Sequence, residues 1–232
     1  MPSFRKLRFI WVYPLAAWLV LTARTTEASL RAGIALALLG EAARFWANGY
    51  VGHRKVNTAR AGPEPEKIGS LITAGPYAYV RNPLYVGTVL IGAGFCVAVQ
   101  AFWGALGALL VFALTYAPKV RQEEALILSE WGDEFAAYQR AVPRWVPTWR
   151  RYPRPNGTWS WQGIDASKEV KTVLWVAVAM LLLYFREEFR QERTLFSGTS
   201  GLKHVAWAVV LVALMATDGL MEWRRRCRPR VP

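Results

Sequence analysis

The chain has 232 residues, 53% of them hydrophobic, with 12 Trp and a formal net charge of +13. Soluble domains rarely combine these features, so an integral membrane protein is expected. The basic residues are spread over segments between apolar runs, which suits anionic lipid headgroups and argues against a nucleic-acid partner.

A helix crossing hydrocarbon needs roughly 20 mostly apolar residues, and six runs approach that length: 9–23, 30–47, 83–99, 102–117, 170–185 and 205–220. The first begins in "RKLRFIWVYPLAAWLVLTARTTEA", which has the basic start, apolar centre and small-residue end of a secretory signal. Five further apolar runs favour a retained first helix. The second run contains Glu41 and Arg44, which at i, i+3 could pair on one face turned from lipid. Residues 49–81 then make a long loop, punctuated by Pro and Gly in "AGPEPEKIGSLITAGPYAYV". Loops of this length are usually functional or disordered.

The third run opens with Asn82-Pro83, a favourable helix start in which Asn accepts from free backbone N–H groups and Pro occupies the first turn. Only Gln100 and a neighbour or two separate the third run from the fourth, so these two helices form an antiparallel hairpin. The fourth meets Pro118 and resumes in "KVRQEEALILSEWGDEFAAYQRAV". There Leu128, Trp131, Phe135, Tyr138 and Val142 recur at amphipathic helical spacing. The following "VPRWVPTWRRYPRP" suits a path along the headgroup layer. The last two runs carry no polar constellation and read as a packing or oligomerising hairpin, which leaves packing within the chain and a homo-oligomer through this hairpin both open.

Cys96 and Cys227 are far apart, with no metal-ligand spacing around either, so neither a disulfide nor a metal site is expected. A free thiol is the simpler state for Cys227, although a basic juxtamembrane cysteine can be lipidated. Asn156 begins an "NGT" glycosylation sequon, but on the cytoplasmic side modification is not expected. Most Lys and Arg fall in residues 1–8, 49–84, 119–171 and 224–230, alternate sides of a six-helix chain, so both termini should be cytoplasmic. The expected fold class is an all-α integral membrane protein, a bundle of about six transmembrane helices with a cytosolic cofactor-binding cap. Its parts are an N-terminal helix pair (1–48), a core of loop, hairpin and cap (49–149), and a linker with a C-terminal hairpin and basic tail (150–232).

Two constellations carry chemistry. Arg81 stands just before a helix N-terminus, where free N–H groups and the macrodipole already favour an anion. A lipid phosphate would satisfy it equally well, and the nearby Tyr77, Tyr79 and Tyr85 fit an interfacial aromatic belt. In "RQEEALIL", Glu123 and Glu124 point about 100° apart, so one can face a pocket while the other meets solvent or a basic residue. His53 and His204 are read as surface residues.

Taken in order, Arg-Asn-Pro-x-Tyr-x-Gly, a tight hairpin, Glu-Glu-x-x-Leu, Trp-Gly-x-x-Phe-x-x-Tyr and Val-Pro-Arg make residues 45–147 resemble the isoprenylcysteine carboxyl methyltransferase family and its phospholipid methyltransferase relatives. The resemblance implies S-adenosyl-L-methionine as cofactor and a lipophilic methyl acceptor taken from the bilayer. It implies that Gly69, Ser70, Leu71, Ile72, Tyr77, Asn82, Pro83, Leu84 and Tyr85 surround the cofactor, with Glu123 reaching it from the other helix of the hairpin. Asn82 replaces the family's histidine, and Asn neither titrates near neutrality nor acts as a base. A carboxylate acceptor is ionised already and needs only a cation, Arg81 or Arg121, to orient it; a thiol acceptor is also compatible. An amine acceptor must lose a proton, and Glu124 is then the nearby base, as in a phospholipid amine N-methyltransferase. A non-enzymatic membrane scaffold is the remaining alternative.

Overall fold

The computed structural model describes residues 24–51, 71–167, 169–192 and 201–227. Among them are α1 (Glu27–Val51), a 3₁₀ turn (Gly75–Ala78), α2 (Pro83–Ala98), α3 (Phe102–Ala141), α4 (Trp161–Ser167), α5 (Glu169–Glu192) and α6 (Gly201–Cys227), with no strand. The all-helical expectation holds for these residues. Run 9–23 lies outside them.

Of the six expected spans, one described helix, α3, is long and apolar enough to cross a membrane. Pro83–Ala98 and Val205–Leu220 are apolar but shorter. The difference has a chemical basis, since charged side chains interrupt the other helices: Glu27, Arg31, Glu41 and Arg44 in α1, and the Arg186-Glu187-Glu188 cluster in α5. On α3, by contrast, Phe102, Trp103, Leu106, Leu110 and Leu114 are all exposed. That contiguous apolar face has the character of a lipid-facing surface.

The core begins where α1 and α2 touch. Gly33 and Gly40 on α1 meet Gly94 and Gly87 on α2 so closely that a Cβ on Gly33 would lie 2.5 Å from the Gly94 carbonyl oxygen, and one on Gly40 2.6 Å from that of Gly87. Small residues that admit such backbone contact are the usual means by which membrane helices pack. Leu30 and Ala37 continue this seam with Ala98 and Val99, and Met180 and Leu183 of α5 close it from the side. The α2–α3 turn is as short as expected, with Gln100 in the left-handed region (φ 52°) and the Ala101 amide donating to the Cys96 carbonyl at 2.9 Å.

Pro118 does not interrupt α3, which is continuous from the hairpin turn into the amphipathic segment. The break comes instead at exposed Gly132 (φ 45°, ψ −122°), a backbone state that glycine adopts without steric cost. Beyond it, Phe135, Tyr138 and Val142 are buried with Leu71, Ala78 and Tyr152, whereas Leu128, expected on the same face, is exposed.

Residues 143–156 lie as a strap across 71–81, held largely by backbone hydrogen bonds. The Arg81 amide donates to the Pro143 carbonyl, Thr148 to Tyr79, Tyr152 to Ala78, and Thr73 and Ala74 both to Asn156, at 2.9–3.0 Å. The Asn156 side chain, the sequon asparagine, donates to the Leu71 carbonyl at 3.1 Å. A strap made by the main chain follows from the Pro content of the segment, which precludes a helix there.

Candidate functional site

α2, α3, the 71–82 stretch and the C-terminal end of α1 enclose a cavity of about 300 Å³, within the small-molecule range of about 300–1,000 Å³. Among the expected cofactor contacts, Leu71, Ile72, Tyr77, Asn82, Pro83, Leu84, Tyr85 and Glu123 all line it, as do Arg81 and Glu124. Gly69 and Ser70 lie outside the described residues. Arg121, expected as an orienting cation, is exposed and is not part of the lining.

The two glutamates divide as their angular separation requires. Glu123 accepts long hydrogen bonds from the Tyr85 hydroxyl, 3.4 Å to each oxygen, and its Oε1 is 3.8 Å from Lys119 Nζ. Tyr85 also packs in a ring cluster with Phe112, Tyr116 and Trp145, at centroid distances of 5.1–6.3 Å. Glu124 is buried and sits between two arginines. Arg144 donates from Nη2 to Oε2 at 2.6 Å and from Nε to both oxygens at 3.1 Å, while Arg81 Nη1 lies 3.3 Å from Oε2. Its oxygens are occupied by two guanidiniums, which ill suits the base role expected of it for an amine acceptor. Two cations around one anion leave this part of the wall net positive. Burial lowers the Arg81 pKa, and the hydrogen bond to Glu124 raises that of Arg144.

Asn82 precedes α2 as expected, but its side chain makes no capping bond. Its Nδ2 donates instead to the Arg144 carbonyl at 3.2 Å, and the backbone carbonyl of Asn82 accepts from the Tyr85 and Val86 amides. The asparagine therefore ties the start of α2 to the strap that carries Arg144. Tyr77 lies on the same stretch, its hydroxyl pKa raised by burial above the ordinary tyrosine value and its carbonyl accepting from the Tyr138 hydroxyl at 2.7 Å.

Another part of the lining, at Arg44, is held by a residue pairing that differs from the expectation. Arg44 does not pair with Glu41; its Nε and Nη2 donate to Glu169 at 2.6 and 3.1 Å, and its Nη1 donates to Thr88 Oγ1 at 2.7 Å and to the Leu84 carbonyl at 3.4 Å. Asn48 adds a further donor to Glu169 at 2.8 Å. Gly87, the glycine of the Arg-Asn-Pro-x-Tyr-x-Gly stretch, makes the route possible: a Cβ there would lie 2.5 Å from Arg44 Cγ. Glu41 is left buried, with neither oxygen hydrogen-bonded among the described residues. Motif reading gave no role to Glu169, Thr88 and Tyr116, nor to Arg144, although Arg144 stands in the Val-Pro-Arg string. Glu169 precedes an apolar run and looks like an ordinary first-turn acid, so its role is visible only once α5 is placed beside α1. Glu169 stands just ahead of the fifth run, so the helix that carries that run contributes a polar contact behind Arg44 from outside the run itself.

Among known proteins, the phospholipid methyltransferase family model matches residues 28–134. The chain is 32% identical over 145 residues to the cobalt-zinc-cadmium resistance protein CzcN of Cupriavidus metallidurans, covering 62% of this chain and 58% of that one. It is 35% identical over 77 residues to the protein-S-isoprenylcysteine O-methyltransferase of Schizosaccharomyces pombe, covering 33% of each. With the nickel-cobalt-cadmium resistance protein NccN of Alcaligenes xylosoxydans xylosoxydans it shares 31% identity over 115 residues, 50% of this chain and 46% of that protein. The chain thus spans about a third to three fifths of the length of these relatives. No solved structure matches it. The matched segment contains nearly all of α1, all of α2, both cavity glutamates and the Arg81–Tyr85 helix start, so over these residues the chain is similar to the phospholipid methyltransferases, a family that includes the isoprenylcysteine carboxyl methyltransferases.

Proposed function

We propose that the protein is an S-adenosylmethionine-dependent methyltransferase of the membrane, acting on a lipophilic carboxylate such as that of an S-prenylated cysteine. The observation that carries this reading is the pairing of two unlike walls in one cavity. Glu123 and Tyr85 offer an acceptor and a ring face, while Arg81, Arg144 and Glu124 make a net-positive cluster. In this reading the chain spans the membrane about six times, with both termini and the strap on the cytoplasmic side.

The residues present fit the cofactor. Glu123 suits its hydroxyl or ammonium groups, the rings of Tyr85 and Tyr116 suit a sulfonium, and Arg81 Nε and Trp131 Nε1 are buried donors without a hydrogen-bond partner among the described residues. When bound, the cofactor supplies an electrophilic methyl group. Glu123 and the start of α2 position it, and the strap excludes water. The acceptor is aligned by the Arg81 guanidinium, whose partner Glu124 fixes its orientation. Desolvated positioning of this kind can supply much of the rate of a displacement that needs no proton transfer. A carboxylate acceptor is favoured over an amine because Glu124 is committed to two arginines.

Isothermal titration of the purified protein with S-adenosylhomocysteine tests the cofactor assignment. Glu123→Gln removes one charge at constant shape and should weaken binding more than about tenfold with the melting temperature retained. Equal affinity of the two proteins would refute the role given to Glu123.

A further inference from the structure

Trp131 ends the regular part of α3, immediately before the left-handed Gly132. Its ring packs against the cluster of Leu71, Ala78, Phe135, Tyr138, Val142 and Tyr152, and it lines the cavity together with Leu71 and Ile72. The indole Nε1 is shielded from solvent yet has no hydrogen-bond partner among the described residues. Buried tryptophan N–H groups almost always find an acceptor, and an unmet one carries the full desolvation penalty of the group. A phenylalanine would fill most of the same apolar volume without that penalty. Packing alone therefore does not account for an indole here.

Among the described residues no acceptor stands beside the indole N–H, and the ring borders a cavity. The position within that cavity discriminates between ligands. Trp131 packs against the cluster that contains Leu71 and lines the cavity together with Leu71 and Ile72, two of the residues assigned to the cofactor. We propose that the Trp131 indole N–H is a cofactor-binding donor, whose partner is an oxygen or nitrogen acceptor of S-adenosylmethionine or S-adenosylhomocysteine. This inference rests on the methyltransferase reading and gives a cofactor contact to the Trp of the Trp-Gly-x-x-Phe-x-x-Tyr string, a residue the resemblance does not place among the cofactor contacts.

The Trp131→Phe variant deletes the N–H while keeping a ring, and its two readouts move in different directions under the two accounts. If Trp131 donates to the cofactor, titration with S-adenosylhomocysteine gives an affinity about tenfold weaker than wild type, while the melting temperature without ligand is unchanged or higher because the buried unmet donor is gone. If Trp131 is only a packing residue, the ligand-free melting temperature falls and the affinity of the folded fraction stays at the wild-type value; that result overturns the proposal. Equal affinity with equal stability overturns it as well. A wild-type protein that binds no S-adenosylhomocysteine would instead refute the cofactor reading itself, and this inference with it. A variant with weaker cofactor binding but unaltered affinity for N-acetyl-S-farnesylcysteine would place the lost contact on the cofactor. The reverse pattern would place the donor at the acceptor and overturn the assignment.

Discussion

At the scale of single residues, the decisive feature is what each polar group is already bonded to. Glu123 and Glu124 are adjacent in sequence and chemically unlike in the fold: one meets a tyrosine hydroxyl and a lysine, the other is held by Arg81 and Arg144. The angular separation of neighbours on a helix foretells that division. The identity of the second partner is not foretold, because Arg144 lies 20 residues away beyond the Gly132 break. Asn82 is similar. Its place at the helix start is legible from Asn-Pro, whereas the diversion of its side chain to the Arg144 carbonyl depends on where the strap runs. Asn82→Ala removes one hydrogen bond and should lower stability by about 1 kcal/mol, read from chemical unfolding. It should also leave the pH dependence of methyl transfer between about pH 6 and 8 unaltered, since asparagine does not titrate there. A new or lost limb in that profile would reveal a proton-transfer role at this position.

At the scale of elements, local pattern located α2, the tight turn and the amphipathic second half of α3, because helix-start chemistry and apolar spacing are local properties. It mistook Pro118 for the break, since a proline on the exposed side of a long helix can be accommodated, and Gly132 supplies the bend instead. It also paired Arg44 with Glu41, the nearest opposite charge along α1. The true partner, Glu169, comes from α5, 125 residues later. This buried pair joins the C-terminal hairpin to the first turns of α2, because Arg44 also holds Thr88 and the Leu84 carbonyl. Removing one partner of a buried pair leaves an uncompensated charge, so Glu169→Gln should destabilise by about 3 kcal/mol. Replacing both partners with apolar residues of similar size is often nearly neutral. The double variant Arg44→Met, Glu169→Met should therefore recover most of the thermal stability lost in the single variant, as scanning calorimetry in detergent would record. A double variant no more stable than Glu169→Gln would mean that the pair is not an isolated electrostatic contact.

At the scale of the whole molecule, the cavity is assembled from pieces that are distant in sequence: the end of α1, the 71–82 stretch, the start of α2 and both halves of α3. The family-matched segment, 28–134, holds most of the lining, but Tyr138, Arg144 behind Glu124, and Glu169 behind Arg44 lie beyond it. Motifs announce the first group because they recur as short ordered strings. Tyr138 and Arg144 stand in such strings too, but the partners they take, and the place of Glu169 altogether, are set by chain topology, which composition and periodicity leave open. If this cavity aligns a carboxylate for methyl transfer, as proposed, the chemistry of the product reports it. Membranes containing the protein are incubated with S-adenosylmethionine labelled on the methyl group and with N-acetyl-S-farnesylcysteine, and the extracted product is treated with mild base. Carboxyl methylation releases volatile label as methanol, strongly reduced in Glu123→Gln membranes; label retained in a base-stable product, or none incorporated, rules carboxyl methylation out.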